Sequence, residues 1–269
     1  VGELSLFTAN MIFHKAGAHI KTLPVDENGI DVDHLAEKLK TSKVRMVYIT
    51  PHHHYPTTVT LSAQRRVQLL QLAQEYGFII VEDDYDYDFQ YEKSTVMPLA
   101  SADLSGMVIY VGSFGKSLAP SFSTGFVVAP QNLIHEMQKY MGILDRQGDL
   151  VMEQVLGEMI AEGDIHRHLK KSLKVYLERR NNCCALLAKH FTTQLSFNVP
   201  TGGLAIWAEW NTPISLLKLA KDCRAKDLFI PKNILYQNKK TTAMRIGFGH
   251  LTMEEMERSL KIISSCLFG

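Results

Sequence analysis

VIYVGSFGKSLAP, residues 108–120, decides how this chain is read. Its opening residues, Val108-Ile109-Tyr110-Val111, are largely apolar and predict a short buried strand. Gly112-Ser113-Phe114-Gly115 then turns the chain, leaving Lys116 at the strand's carboxyl end, where open α/β sheets gather their chemistry. A lysine there has two chemical uses. Its amine can form a Schiff base with a carbonyl cofactor, or its ammonium can neutralise phosphate. The plain alternative is a solvated lysine opening a helix.

The same stretch imitates a nucleotide-binding loop, because GSFGKS ends in Gly-Lys-Ser. That motif needs its first glycine where Tyr110 stands, and Pro120 intrudes on the helix whose amino end should hold the phosphate. A nucleotide site is therefore disfavoured.

Short apolar runs flank this strand on both sides. Residues 44–50 (VRMVYIT) end at Pro51, residues 78–81 (FIIV) run into Glu82-Asp83-Asp84-Tyr85, and residues 126–129 follow the lysine turn. Between the first two, Ser62 is placed to cap a helix whose buried face is Val67, Leu69, Leu70, Leu72 and Ala73 and which stops at Gly77. Upstream, residues 18–25 (AHIKTLPV) alternate as a strand does, Asp26-Glu27-Asn28-Gly29 reads as a turn, and Asp33 is placed to cap a short helix to Leu39. Near-continuous apolar strands alternating with helices predict an α/β fold with a mostly parallel sheet covered on both faces.

From Asn132 the texture changes to helices over 133–144, 150–161 and 165–190. Strand-like segments follow at 197–199, 204–210 and 244–248, with helices at 215–226 and 253–264. The expected organisation is a large domain over residues 1–150, then an inter-domain helix and a smaller α+β domain over 151–269. No repeat or Gly/Ser/Pro-rich linker divides them, and two domains joined by a helix tend to hold a ligand between them.

The chain has 269 residues, with 29 Lys plus Arg against 28 Asp plus Glu. A net charge near zero gives no overall attraction to nucleic acid or anionic membrane. The four cysteines show no metal-ligand spacing, adjacent Cys183-Cys184 read as small buried residues, and a reducing cytoplasmic setting is expected. No apolar run approaches membrane-spanning length. The first residues, VGELSLFTAN, lack an initiator methionine, a signal-peptide profile and a helix start, so the chain is expected to begin partway through a domain.

Asp83 follows the 78–82 run at the same sheet edge as Lys116. A carboxylate there can hold a pyridine nitrogen protonated, the state in which pyridoxal phosphate acts as an electron sink, and Tyr85 can donate its hydroxyl to the ring oxygen. The competing readings of Glu82, Asp83, Asp84, Asp86 and Asp88 are a solvated acidic loop or a divalent cation site, the second disfavoured because aromatics alternate with the acids and no Gly-centred calcium loop is present. His52-His53-His54 on extended chain point alternately to opposite sides, so they cannot all ligate one ion; a loop that packs on a cofactor is the better reading.

Four segments in order resemble one family: TPHHHYPT at 50–57, VEDDYD at 81–86, GSFGKSLAP at 112–120 and MRIGFG at 244–249. Together they resemble the aminotransferase-like half of MocR-type regulators in the GntR superfamily, itself related to class I/II aminotransferases. The resemblance covers essentially the whole chain. It implies a fold-type I pyridoxal-phosphate domain that senses an amino acid or amine effector and forms a homodimer, with DNA contacted only through an N-terminal winged helix-turn-helix domain absent here. It also implies Lys116 as the Schiff-base lysine, Asp83 as the pyridinium partner, Tyr85 near the ring hydroxyl, Ser113 near the phosphate, Tyr55 among the cofactor-binding residues and Arg245 as the clamp on an amino acid carboxylate. No metal is implied. Relatives usually read serine before the lysine and Pro-Gly-Leu-Arg after it. Here those places hold Gly115 and Pro120-Ser121-Phe122-Ser123, and a missing charge-assisted phosphate contact weakens the grip by roughly 1.5–3 kcal/mol. An aminotransferase proper and a cofactor-free scaffold are the two other readings of the same residues.

Overall fold

The computed structural model describes residues 1–92, 95–118, 124–144 and 148–268, so the Pro120-Ser121-Phe122-Ser123 departure lies outside the described residues. The chain divides into two compact units. One is Val1–Tyr55 with Val59–Lys171, the other Pro56–Thr58 with Ser172–Gly269.

The first unit opens on a helix, α1 (Phe7–Lys15), in a segment whose sequence lacks a helix start. Leu6 occupies the N-cap and supplies no side-chain acceptor, which is why no signal marked it. The alternating residues 18–25 do not form a strand either. Only a bridge between Gly2 and Leu23 and a two-residue strand, β1 (Val25–Asp26), occur there, the latter paired with β2 (Gly29–Ile30) across the expected turn. Alternation without a neighbouring strand to pair with leaves residues 19–22 exposed, while Leu23 is buried and Val25 is half-buried against the core.

Helix α2 (Val32–Leu39) is capped by Asp31, not Asp33: the Asp31 carboxylate accepts from the His34 amide at 2.8 Å. Asp33 falls in the first turn, where a negative charge still suits the helix dipole. Strand β3 (Met46–Ile49) leads through Pro51 to α3 (Ala63–Tyr76). Ser62 caps α3 by accepting from the Arg65 amide, and Gly77 closes it in the left-handed conformation at φ 67°, which glycine adopts without strain. The buried face of α3 is Arg66, Leu69 and Ala73. Leu70 and Leu72 are partly buried beside it, whereas Val67 is 56% exposed and does not belong to that face.

Strands β4 (Ile79–Asp84), β5 (Val108–Ser113) and β6 (Gly125–Val128) complete a sheet of order β3-β4-β5-β6. The first three strands are parallel and β6 runs antiparallel to β5. Leu69, Phe78, Ile80 and Val108 belong to the core of this unit. Gly112 is required where it stands, because the Phe126 ring occupies the space a side chain would fill. Helices α4 (Gln131–Leu144) and α5 (Leu150–Ala161) follow, and α6 (Asp164–Phe191) runs from the first unit into the second.

The second unit is an antiparallel sheet of order β7-β8-β10-β9, formed by β7 (Leu195–Phe197), β8 (Ala205–Trp210), β9 (Leu235–Gln237) and β10 (Thr242–Gly247). Its strands begin or end within a few residues of expectation, except that β9 carried no sequence signal and Asn198 and Val199 lie beyond β7. Helices α7 (Leu216–Arg224) and α8 (Met253–Phe268) belong to it, α8 beginning with a capping box in which Thr252 and Glu255 exchange backbone-to-side-chain bonds of 2.8 and 3.2 Å. Cys183 and Cys184 are buried, as small apolar residues are, and burial pushes the Cys183 thiol up to about 12. No helix among the described residues is long and apolar enough to cross a membrane.

Candidate functional site

Strand β4 carries acids on both of its faces, and alternation separates them. Ile80, Glu82 and Asp84 are buried on one face, while Ile79, Val81 and Asp83 are half-buried on the other. The Glu82 carboxylate accepts from the Leu99 amide at 2.8 Å and the Ala100 amide at 3.0 Å, at the start of a 3-10 turn over Leu99–Ala102. Asp84 accepts from the Tyr110 hydroxyl at 3.2 Å. Arg66 of α3 donates to the carbonyls of Leu61, Met97 and Pro51 at 2.9, 2.9 and 3.0 Å. Its positive charge is felt by both Glu82 and Asp84. The acidic stretch is therefore an internal polar network, not a solvated loop.

The three consecutive histidines go three different ways, and all are buried. His52 bonds the Val96 carbonyl through Nε2 at 2.9 Å and brings Nδ1 to 2.8 Å from Asp84, close but out of line for a hydrogen bond. His53 meets Asp86 at 2.7 Å, and His54 donates from Nε2 to the Leu4 carbonyl at 2.8 Å. His52, Glu82 and Asp84 bring ligand atoms within 4.8 Å of one another, the geometry of a possible cation set. At 2.8 Å, however, the His52 and Asp84 atoms stand closer than two tetrahedral zinc ligands, which are roughly 3.3 Å apart for bonds of about 2.0 Å.

Burial holds the His54 imidazole down at about 4. A histidine depressed when folded resists protonation that the unfolded chain accepts, so stability is full above the unfolded value of 6.5 and falls as pH drops from there toward 4. His54→Gln keeps a side-chain donor for Leu4 without the titration. We expect parent stability to lose about 3 kcal/mol more than the variant between pH 7 and 4, read from urea midpoints at each pH. Parallel pH profiles for parent and variant would count against the assignment.

On the other face, Asp83 lies opposite Val111 in the parallel register of β4 and β5. Its Oδ2 accepts from the Tyr48 hydroxyl of β3 at 2.5 Å. Burial raises its pKa, opposed by the Tyr48 bond and reinforced by Asp84 and Asp86. Ser113, the last residue of β5 and two beyond Val111, belongs to the same face and is exposed. Its hydroxyl accepts from the Gly115 amide at 3.1 Å, which tightens the turn that presents Lys116. Lys116 is exposed, and the next residue, Ser117, is buried with its hydroxyl bonded to Asp88 in the loop after β4. The turn bearing the lysine is thus fastened to the strand bearing the acid.

Tyr85 donates its hydroxyl to the His53 carbonyl at 2.9 Å, and its ring meets Tyr55 edge-on at 6.3 Å between centroids. The two tyrosines therefore form one pair at the loop after β3. Arg245 belongs to the other unit, on β10 opposite Trp207 of β8. Tyr48 and Arg66 carried no sequence signal for a role at the site, and Asp88 stood out only as one acid of an acidic run. Each acts through a partner at least 15 residues away, which periodicity cannot reveal.

A mostly parallel sheet whose neighbouring strands end in an acid and in a lysine turn is the large-domain plan of the fold-type I pyridoxal-phosphate-dependent transferases. The solved structure of Pyrococcus horikoshii kynurenine aminotransferase in complex with PMP superposes with a TM-score of 0.89 at 27% identity, covering 98% of this chain and 67% of that one. Residues 9–263 match the family described as aminotransferase class I and II, and the chain belongs to that family. Aromatic-amino-acid aminotransferase 1 of Thermococcus litoralis is 28% identical over 252 residues, 91% of this chain and 60% of its own length. The probable rhizopine catabolism regulatory protein MocR of Rhizobium meliloti is 29% identical over 195 residues, 72% of this chain and 39% of its own. The chain thus spans less than two thirds of the length of these two relatives.

Proposed function

We propose that this domain holds pyridoxal phosphate at the carboxyl ends of β4 and β5 and senses an amino acid or amine effector as part of a MocR-type regulator of the GntR superfamily. The observation that carries this reading is the register that sets Asp83 beside β5, five residues before Lys116 counted from its partner Val111. The residues fit the cofactor's chemistry. Asp83 has one oxygen held by Tyr48, and carboxylate lone pairs suited to a ring nitrogen; Lys116 offers an exposed amine to an aldehyde; the Ser113 turn offers a hydroxyl for phosphate. The cofactor supplies an electron sink once bound. Tyr85 and Tyr55 line the ring in this reading, Arg245 takes the effector's carboxylate in two parallel bonds, and the domain works as a cytoplasmic homodimer that meets DNA only through a separate domain.

Amino transfer is the second reading, favoured by the likeness to the Thermococcus enzyme. Both readings share the cofactor site and part on turnover. The protein is incubated with pyridoxal phosphate, reduced with borohydride and digested. A cofactor-modified Lys116 peptide is expected, and an unmodified one would sink both readings in favour of a cofactor-free scaffold. Multiple turnovers with a natural amino acid donor and a keto acid acceptor would favour the enzyme, and saturable amino acid or amine binding without turnover the sensor. Arg245→Ala is expected to weaken that binding about 10- to 100-fold, the worth of one or two charge-assisted bonds, while cofactor retention is unchanged. Equal affinity by calorimetry in parent and variant would remove Arg245 from the clamp role.

A further inference from the structure

Burial, Asp84 and Asp86 push the Asp83 carboxylate toward neutrality. A neutral acid cannot hold a protonated pyridine nitrogen, because it is the negative charge that favours the pyridinium form. Among the described residues the hydroxyl of Tyr48 opposes them, donating to Oδ2 at 2.5 Å from the neighbouring strand. Tyr48 pairs with Val81 in the β3–β4 register, on the face of the sheet that Asp83 shares, and it is 5% exposed. The Phe13 ring of α1 meets the Tyr48 ring edge-on at 5.3 Å and 66°, so the phenol is packed in place and its hydroxyl direction is set.

We infer that Tyr48 is a positioning residue for cofactor binding: it holds one oxygen of Asp83 so that the other oxygen is presented to the ring nitrogen. This inference rests on the proposed role of Asp83. Tyr48 touches no cofactor in this arrangement and acts through the acid. The competing explanation is that the bond merely rivets β3 to β4, a structural role that would leave nitrogen recognition untouched.

The two are separated by comparing pyridoxal phosphate with its 1-deaza analogue, in which a C–H replaces the ring nitrogen. Dissociation constants are measured by equilibrium dialysis for the parent, Tyr48→Phe and Asp83→Asn. Tyr48→Phe retains the ring and its packing on Phe13, and circular dichroism and thermal melts verify the fold. The parent is expected to prefer the nitrogen-bearing ligand, and Asp83→Asn to abolish that preference. Tyr48→Phe is expected to shrink it about 10-fold, with affinity for the deaza analogue within twofold of the parent. If Tyr48→Phe weakens both ligands equally, or leaves the preference intact, the positioning role is overturned while that of Asp83 stands. If the parent shows no preference, or Asp83→Asn retains it, the ring-partner reading itself fails and the inference with it.

Discussion

Lys116→Ala is expected to reduce covalent, borohydride-stable labelling by pyridoxal phosphate to background while leaving the fold intact. The side chain is exposed in the turn after β5, so truncating it opens no core cavity, and stability should move by no more than about 0.5 kcal/mol. Lys116→Arg refines the test. An arginine keeps the positive charge available to phosphate but stays protonated and is no nucleophile toward an aldehyde, so its labelling should vanish as completely while ionic attraction for phosphate survives. Labelling that persists in both variants would move the attachment to another lysine, and the register argument built on Asp83 and Val111 would fall with it. Peptide mapping after reduction reads all three proteins alike.

Glu82→Ala should be the most destabilising single change in the β4 network, by about 3–5 kcal/mol. Glu82 is fully buried, and its two oxygens accept from the Leu99 and Ala100 amides. Truncation leaves both N–H groups without an acceptor and withdraws a negative charge from the field of the buried Arg66 guanidinium. Burial and the neighbouring Asp84 push the Glu82 pKa up, while the two amides and His52 pull it down. Glu82→Gln retains one acceptor oxygen and should cost less, about 1–3 kcal/mol. Urea unfolding with unchanged slope measures both. A loss below about 1 kcal/mol for the alanine variant would mean that the amides find other acceptors.

The parts of this molecule governed by neighbours in sequence are legible in the sequence alone. Ser62 and Gly77 bound α3 because capping and left-handed closure are local events. The family likeness of the lysine turn and the acid strand points to the fold, whereas the histidines of the 52–54 run separate three ways at a bend and not by the alternation of extended chain. What was misread depends on distant partners. Residues 18–25 have a strand's pattern but find partners only at Leu23 and Val25; α1 forms without a capping side chain. The apolar count on α3 favoured Val67 for the interior, yet Arg66 takes the place beside Leu69 and Ala73 because three carbonyls from elsewhere in the chain converge on its guanidinium. Tyr48 belongs to the same class. Its value lies in an acid 35 positions downstream, brought near by the pairing of two parallel strands.

The alternation of β4 has a genetic corollary. Glu82 and Asp84 are buried on one side of the strand and Asp83 is half-buried on the other, so three adjoining codons serve two faces distinguished by parity. Losing or gaining a single codon within the strand ahead of them would exchange the two faces, turning Asp83 inward and exposing Glu82 and Asp84. Drift in length should therefore be tolerated in the loops around β4 and almost never within it.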